Sequence, residues 1–185
     1  MNKSISLFRK ILTYFWVMDE ITNRVENSNL VQVSLDDYYP KAERVFFDVK
    51  EVLHEGLVLI ENELRSFVKQ NDWSIYQDKY VGIFCSADAI VPLWAFMLIA
   101  SKIEPFAKKV VMGNKAELEK AIFNDIISSI DFTQFQDKSV IVKGCGKFPI
   151  PEAVFVDFTV KLQAYAKTIM FGEACSAVPL FKKGK

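Results

Sequence analysis

The period of the apolar pattern changes several times along the chain, and each change marks an element. Residues 30–35 and 44–49 are short, β-branched and aromatic, with Asp36, Asp37 and Pro40 as punctuation between them, and so predict two strands. Residues 62–70 put Leu64, Phe67 and Val68 at helical spacing among charges, predicting an amphipathic helix that stops near Asn71 and Asp72. No low-complexity linker follows.

Beyond that helix the pattern repeats at a shift of 59 residues. Asp72, Gln77, Asp78, Lys79 and Val81 meet Asp131, Gln136, Asp137, Lys138 and Val140, and the match continues from Pro92/Pro151 to Gly113/Gly172. Residues 72–113 hold eleven identities in 42 positions, where ordinary residue frequencies give roughly three. Each copy reads as an amphipathic helix, a D-x-x-x-x-Q-D-K turn, a strand (80–84; 139–143), a helix (91–100; 152–163) and a second strand (109–112; 168–171) closed by Gly. Pro92 and Pro151 fall at helix starts, where a missing N–H costs nothing. Strands alternating with helices of this length pair in parallel through right-handed crossovers. The expected fold class is therefore α/β: a mostly parallel sheet of at least four strands with crossover helices, an internal helix-strand-helix-strand duplication over about 60–113 and 119–172, and added N-terminal strands. Residues 91–100 are apolar on nearly every side, which predicts a helix buried between the sheet and other elements.

Residues 18–185 read as one α/β domain. Residues 1–17 carry Lys3, Arg9 and Lys10 before a short apolar run from Ile11 to Val17. That run is too short to span a bilayer and lacks a small-residue cleavage site, so the expectation is an upstream extension, with a short amphipathic anchor as its rival. Hydrophobic residues make up 51% of the chain and 16 are Phe, enough for a packed core. Lys and Arg together number 23, as do Asp and Glu, so no net field favours nucleic acid or an anionic membrane as partner.

Three cysteines form no C-x-x-C pair, which predicts reduced thiols and a cytoplasmic location. Cys85 and Cys145 each follow the first strand of a copy, and Cys175 lies just beyond Gly172. In one open parallel sheet, all three would share the rim at the strands' carboxyl ends, where ligands bind. Three thiolates with Asp88 as fourth ligand suit zinc or iron. The flanking Lys143 and Lys147, together with a helix N-terminus, favour the thiolate for metal binding or nucleophilic attack. Cys85-Ser86-Ala87 recurs as Cys175-Ser176-Ala177, each followed by Val-Pro. His54 is the only imidazole, and Gly-rich nucleotide loops, Walker loops, zincin motifs and serine-hydrolase elbows are all missing from the sequence. Asp36, Asp37 and Asp48 read as solvated turn residues, and Lys182, Lys183 and Lys185 as a solvated tail.

At Asp37-Tyr38-Tyr39-Pro40, Cys85-Ser86-Ala87-Asp88-Ala89-Ile90-Val91-Pro92, Lys143-Gly144-Cys145 and Gly172-Glu173-x-Cys175-Ser176, the chain resembles a bacterial family known as domain of unknown function 2480. Glu20-Ile21-x-Asn23-Arg24-Val25 extends the likeness back to about Met18. The resemblance implies no activity, and its implied partners are iron–sulfur cluster assembly proteins. Three functions stay open. The first is an accessory protein that binds metal or handles sulfur. The second is an enzyme using Cys85 or Cys175 as nucleophile or persulfide carrier. The third is an interaction module whose thiols are structural.

Overall fold

A computed structural model describes residues 29–144 and 146–184; the N-terminal segment, including the expected extension and anchor, and Cys145 lie outside the described residues. The first strands are β1 (Leu30–Val33) and β2 (Arg44–Asp48), each followed at once by a 3-10 turn, Leu35–Tyr38 and Val49–Val52. Then come α1 (Glu61–Gln70), β3 (Tyr80–Phe84), α2 (Leu93–Ile103), β4 (Lys109–Met112) and α3 (Lys115–Ser129). The chain ends with β5 (Ser139–Val142), α4 (Glu152–Leu162), β6 (Thr168–Phe171) and β7 (Val178–Lys182).

The α/β class, the parallel pairing and a mostly parallel four-stranded sheet are as expected. The four strands of the duplicated unit, however, are divided between two sheets. Strands β2-β3-β4 form one, entirely parallel; β1-β5-β6-β7 form the other, parallel except for β7. The register shows why. Arg44 pairs with Tyr80 and Leu30 with Ser139, and Tyr80 and Ser139 are equivalent at the 59-residue shift. β1 is therefore the counterpart of β2, contributed to the opposite copy, so each copy builds its own three-stranded parallel sheet.

Each sheet has its own core, and the two cores match residue for residue. Leu64, Trp73, Val81, Ile99 and Ile103 in the first lobe correspond to Phe123, Phe132, Val140, Phe158 and Leu162 in the second. The repeated turn has a local cause. Asp72 and Asp131 each accept a hydrogen bond from the backbone N–H two residues on, opening a 3-10 turn. Asp78 and Asp137 then take positive φ, 59° and 55°, a conformation that Asp tolerates better than most side chains.

Helix α3 serves both lobes. Phe123 and Ile127 enter the second core, and the helix also packs against β3 and β4, with Leu118 and Ile122 buried as well. Lys109 of β4 pairs with Asp125 of α3 at 2.5 Å across this contact.

Two expectations fail. The helix read as buried all round, α2, buries Ala95, Phe96, Ile99 and Ile103 but exposes Leu93 and Met97, because only one of its faces meets the core. Lys182 and Lys183 are exposed, as a solvated end requires, but Lys182 belongs to β7 and Lys183 lies 3.8 Å from Asp137, so they end an ordered edge strand rather than a tail. Pro179 is accommodated in β7 because the pairing with β6 is irregular there, at Ile169/Met170.

Candidate functional site

In a parallel sheet the chain leaves every strand at the same edge, and the loops there meet over a crevice. In the second lobe those loops are Ser34–Tyr38 after β1, residues 143–151 after β5 and residues 172–177 after β6. They enclose a cleft of about 570 Å³ lined by Gln32, Ser34, Asp36, Asp37, Lys143, Gly146, Lys147, Phe148 and Glu173.

The loop after β5 is held by its neighbours. Ser34 caps the first 3-10 turn by accepting from the Asp36 N–H, which sets Asp36 facing the loop. Asp36 Oδ2 accepts from the Lys147 N–H at 2.5 Å, and its Oδ1 is buried with no donor among the described residues. A side chain at Gly146 would collide with this carboxylate, and one at Gly144 with the Phe171 ring. The two glycines thus let the loop lie against a carboxylate on one side and a phenyl ring on the other. Phe148 stacks on Tyr39, 4.2 Å between centroids and 5° from parallel, and forms the cleft's apolar wall.

The first lobe fastens its matching loop with a different acid. Asp48 Oδ1 accepts from the Lys50 N–H and from the Ser86 N–H, each at 3.0 Å. Burial alone would raise the Asp48 carboxyl, but the hydrogen bonds from Ser86 and Lys50 outweigh it and hold the group below the usual carboxylate value. Asp36 and Asp48 were read as solvated turn residues. Each instead tethers the loop that follows the neighbouring strand, a role no local signal reveals because the partner is remote in sequence.

The cysteines are distributed over both lobes. Cys85 directly follows β3 in the first; it is half-buried against that core and its Sγ lies 3.7 Å from the Ala87 carbonyl. Asp88 follows in the same loop. Cys175 is exposed in the turn between β6 and β7, its Sγ 4.0 Å from Ser176 Oγ. Cys145 lies outside the described residues, but Gly144 and Gly146 on either side of it both border the recesses at the second sheet's edge. The expected single rim is therefore two rims, because the strands before Cys85 and Cys145 belong to different sheets. Nor does either described thiol sit at a helix N-terminus: residues 86–92 separate Cys85 from α2, and Cys175 leads into a strand. Among the described residues, no three His, Cys, Asp or Glu side chains approach closely enough to share a metal ion. His54 is in a tight turn, its Nδ1 3.3 Å from Glu63 Oε1, apart from any thiol contact seen among the described residues.

Sequence reasoning missed the cleft walls Gln32, Ser34, Lys143, Lys147 and Glu173 as a group. They come from three strand ends that only the interleaved topology brings together. No described helix is long and apolar enough to cross a membrane.

No curated protein and no solved structure matches the chain. A family model does: the one described as "Protein of unknown function (DUF2480)" matches residues 19–183, so that the duplicated lobes and their strand-end loops fall within it, and the chain belongs to that family.

Proposed function

We propose that the protein is a sulfur-handling accessory protein whose working thiols are Cys145 and Cys175. One observation carries this reading: β5 and β6 are neighbouring parallel strands, and the loops that leave them, each with one cysteine, border the same cleft through Gly146, Lys147 and Glu173. Loops that each carry one cysteine in sequence and meet over one cleft suit the receipt and onward transfer of sulfur. Lys143 and Lys147 flank Cys145 in sequence and favour its thiolate. In the step proposed, that thiolate attacks the outer sulfur of a donor persulfide. A new S–S bond forms, the donor's S–S bond breaks, and the donor leaves as a thiolate, with no net oxidation or reduction. The partners proposed with this step are the sulfur donors and acceptors of iron–sulfur cluster assembly.

The test is persulfide transfer from glutathione persulfide, read by intact-mass spectrometry after removal of the donor. The expected result is one added sulfur atom on the wild type, none on Cys145→Ser, and no onward transfer to a thiol acceptor from Cys175→Ser. Iodoacetamide rates at neutral pH that match those of free cysteine for both thiols would sink the reading.

A further inference from the structure

The duplication supplies an internal control for the second lobe's cleft. The positions of Gln32 and Lys143 are held in the first lobe by Phe46 and Phe84, as the strand register and the 59-residue shift show. Those two rings meet edge to face with centroids 6.2 Å apart, and Phe46 lies over Gly82, so hydrocarbon fills the space. In the second lobe the same places carry an amide and an amine, and the space is open. A position that one copy fills with phenyl rings and the other lines with polar groups has a use for the opening.

Two amines, Lys143 and Lys147, and three carboxylates, Asp36, Asp37 and Glu173, line one cleft. Among the described residues, none of these five side chains forms an ion pair. Opposite charges held apart around a cavity are complementary to a ligand that carries both signs. The volume, about 570 Å³, is within the range of small-molecule sites.

We propose that this cleft binds a zwitterion of amino-acid or dipeptide size. Lys143 and Lys147 take its carboxylate, Asp37 and Glu173 take its ammonium group, and Phe148 with Gln32 and Ser34 completes the wall. The proposal shares its cleft with the sulfur-handling reading and would make that protein's small substrate a free amino acid or short peptide. It does not depend on the thiols.

Isothermal titration with glycylglycine tests it, alongside N-acetylglycine and glycinamide, which each keep only one of the two charges. Glycylglycine is expected to bind at least about tenfold more tightly than either, since each retains only half of the charge-assisted contacts. Lys143→Phe, which installs the first lobe's residue, and Glu173→Gln should each weaken glycylglycine by about tenfold, with far-UV circular dichroism unchanged. Lys143→Gln reads the same loss if Lys143→Phe does not fold. Cys145→Ser and Cys175→Ser should bind as wild type does, so loss of sulfur transfer and loss of zwitterion binding are separate results. No binding of glycylglycine at about 20 mM, well past a millimolar Kd, or equal binding of all three probes, or unchanged affinity in both charge variants, overturns the proposal.

Discussion

Arg44 and Glu119 form a two-pronged ion pair between β2 of the first lobe and the helix shared by both. Arg44 Nε donates to Glu119 Oε1 at 2.9 Å and Nη2 to Oε2 at 3.3 Å, with the two side chains 12% and 3% exposed. Nη1 donates to the carbonyls of Pro40 and Ala42 at 2.5 and 2.6 Å, and the guanidinium lies over the Tyr39 ring, 4.2 Å from its centroid. The Tyr39 hydroxyl donates to Glu119 at 3.4 Å, and burial together with the Glu119 charge pushes that hydroxyl above its usual value. Both carboxylate oxygens and all three guanidinium nitrogens are thus engaged, on side chains largely withdrawn from water.

A pair buried this way costs far more to break on one side than to replace altogether. Glu119→Leu and Arg44→Met should each lower unfolding free energy by about 3–5 kcal/mol, while the double variant should return to within about 1 kcal/mol of wild type. Urea unfolding of the four proteins measures this as a double-mutant cycle; additive losses would show that the pair is not coupled.

Asp48 makes stability depend on acidity. Its folded carboxyl lies below the ordinary value of 3.8, so the unfolded chain binds the proton more readily. The resulting stabilisation is complete above 3.8 and is lost as pH falls through the lower folded value. The stability difference between wild type and Asp48→Asn should therefore be constant from neutral pH to about 5 and shrink below 3.8, the pH window set by linkage. Thermal melts across that range measure it. A difference that grows on acidification contradicts the assignment.

The turn aspartates should respond to backbone shape rather than charge. At Asp78, with φ 59°, substitution by Val places a β-branched residue in the left-handed region and should destabilise by about 1–2 kcal/mol. Asp78→Gly should be neutral or stabilising. The same ordering at Asp137, φ 55°, compared by chemical denaturation, checks that the two turns are equivalent.

Gly144 and Phe171 should be coupled. Gly144→Ala pushes a methyl group into the Phe171 ring and should cost about 1–3 kcal/mol as an overpacking change. Phe171→Leu made together with it should recover most of that loss, whereas unrelated sites would simply add. Denaturation midpoints of the single and double variants decide between these outcomes.

Much of the fold was legible because periodicity is local. Tyr80–Phe84, Lys109–Met112 and Thr168–Phe171 are strands at the expected limits, since each apolar run is bounded by a turn or a Gly. The exchange of β1 into the second sheet was not legible. Leu30–Val33 relates to β2 by a shift of 14 residues rather than 59, and with only Val31 and Val45 identical between the two strands the match gives no signal. β7 was hidden by Pro179 and the lysines after it, which imitate a turn and a tail. The cysteines were found by their chemistry alone. Their grouping followed from assuming one sheet, and the walls between them belong to strand ends that no spacing rule links.

The interleaving has a consequence for the order in which the molecule can be made. Among the described strands β1 leaves the ribosome first, and its partner is β5, whose residues begin at Ser139. At ordinary translation speeds that leaves an unpaired edge waiting roughly 5–20 seconds. Meanwhile β2, β3, β4 and their covering helix α3 emerge as a continuous run. The second lobe is therefore finished last, with the earliest-made of the described strands kept in reserve until its neighbours arrive.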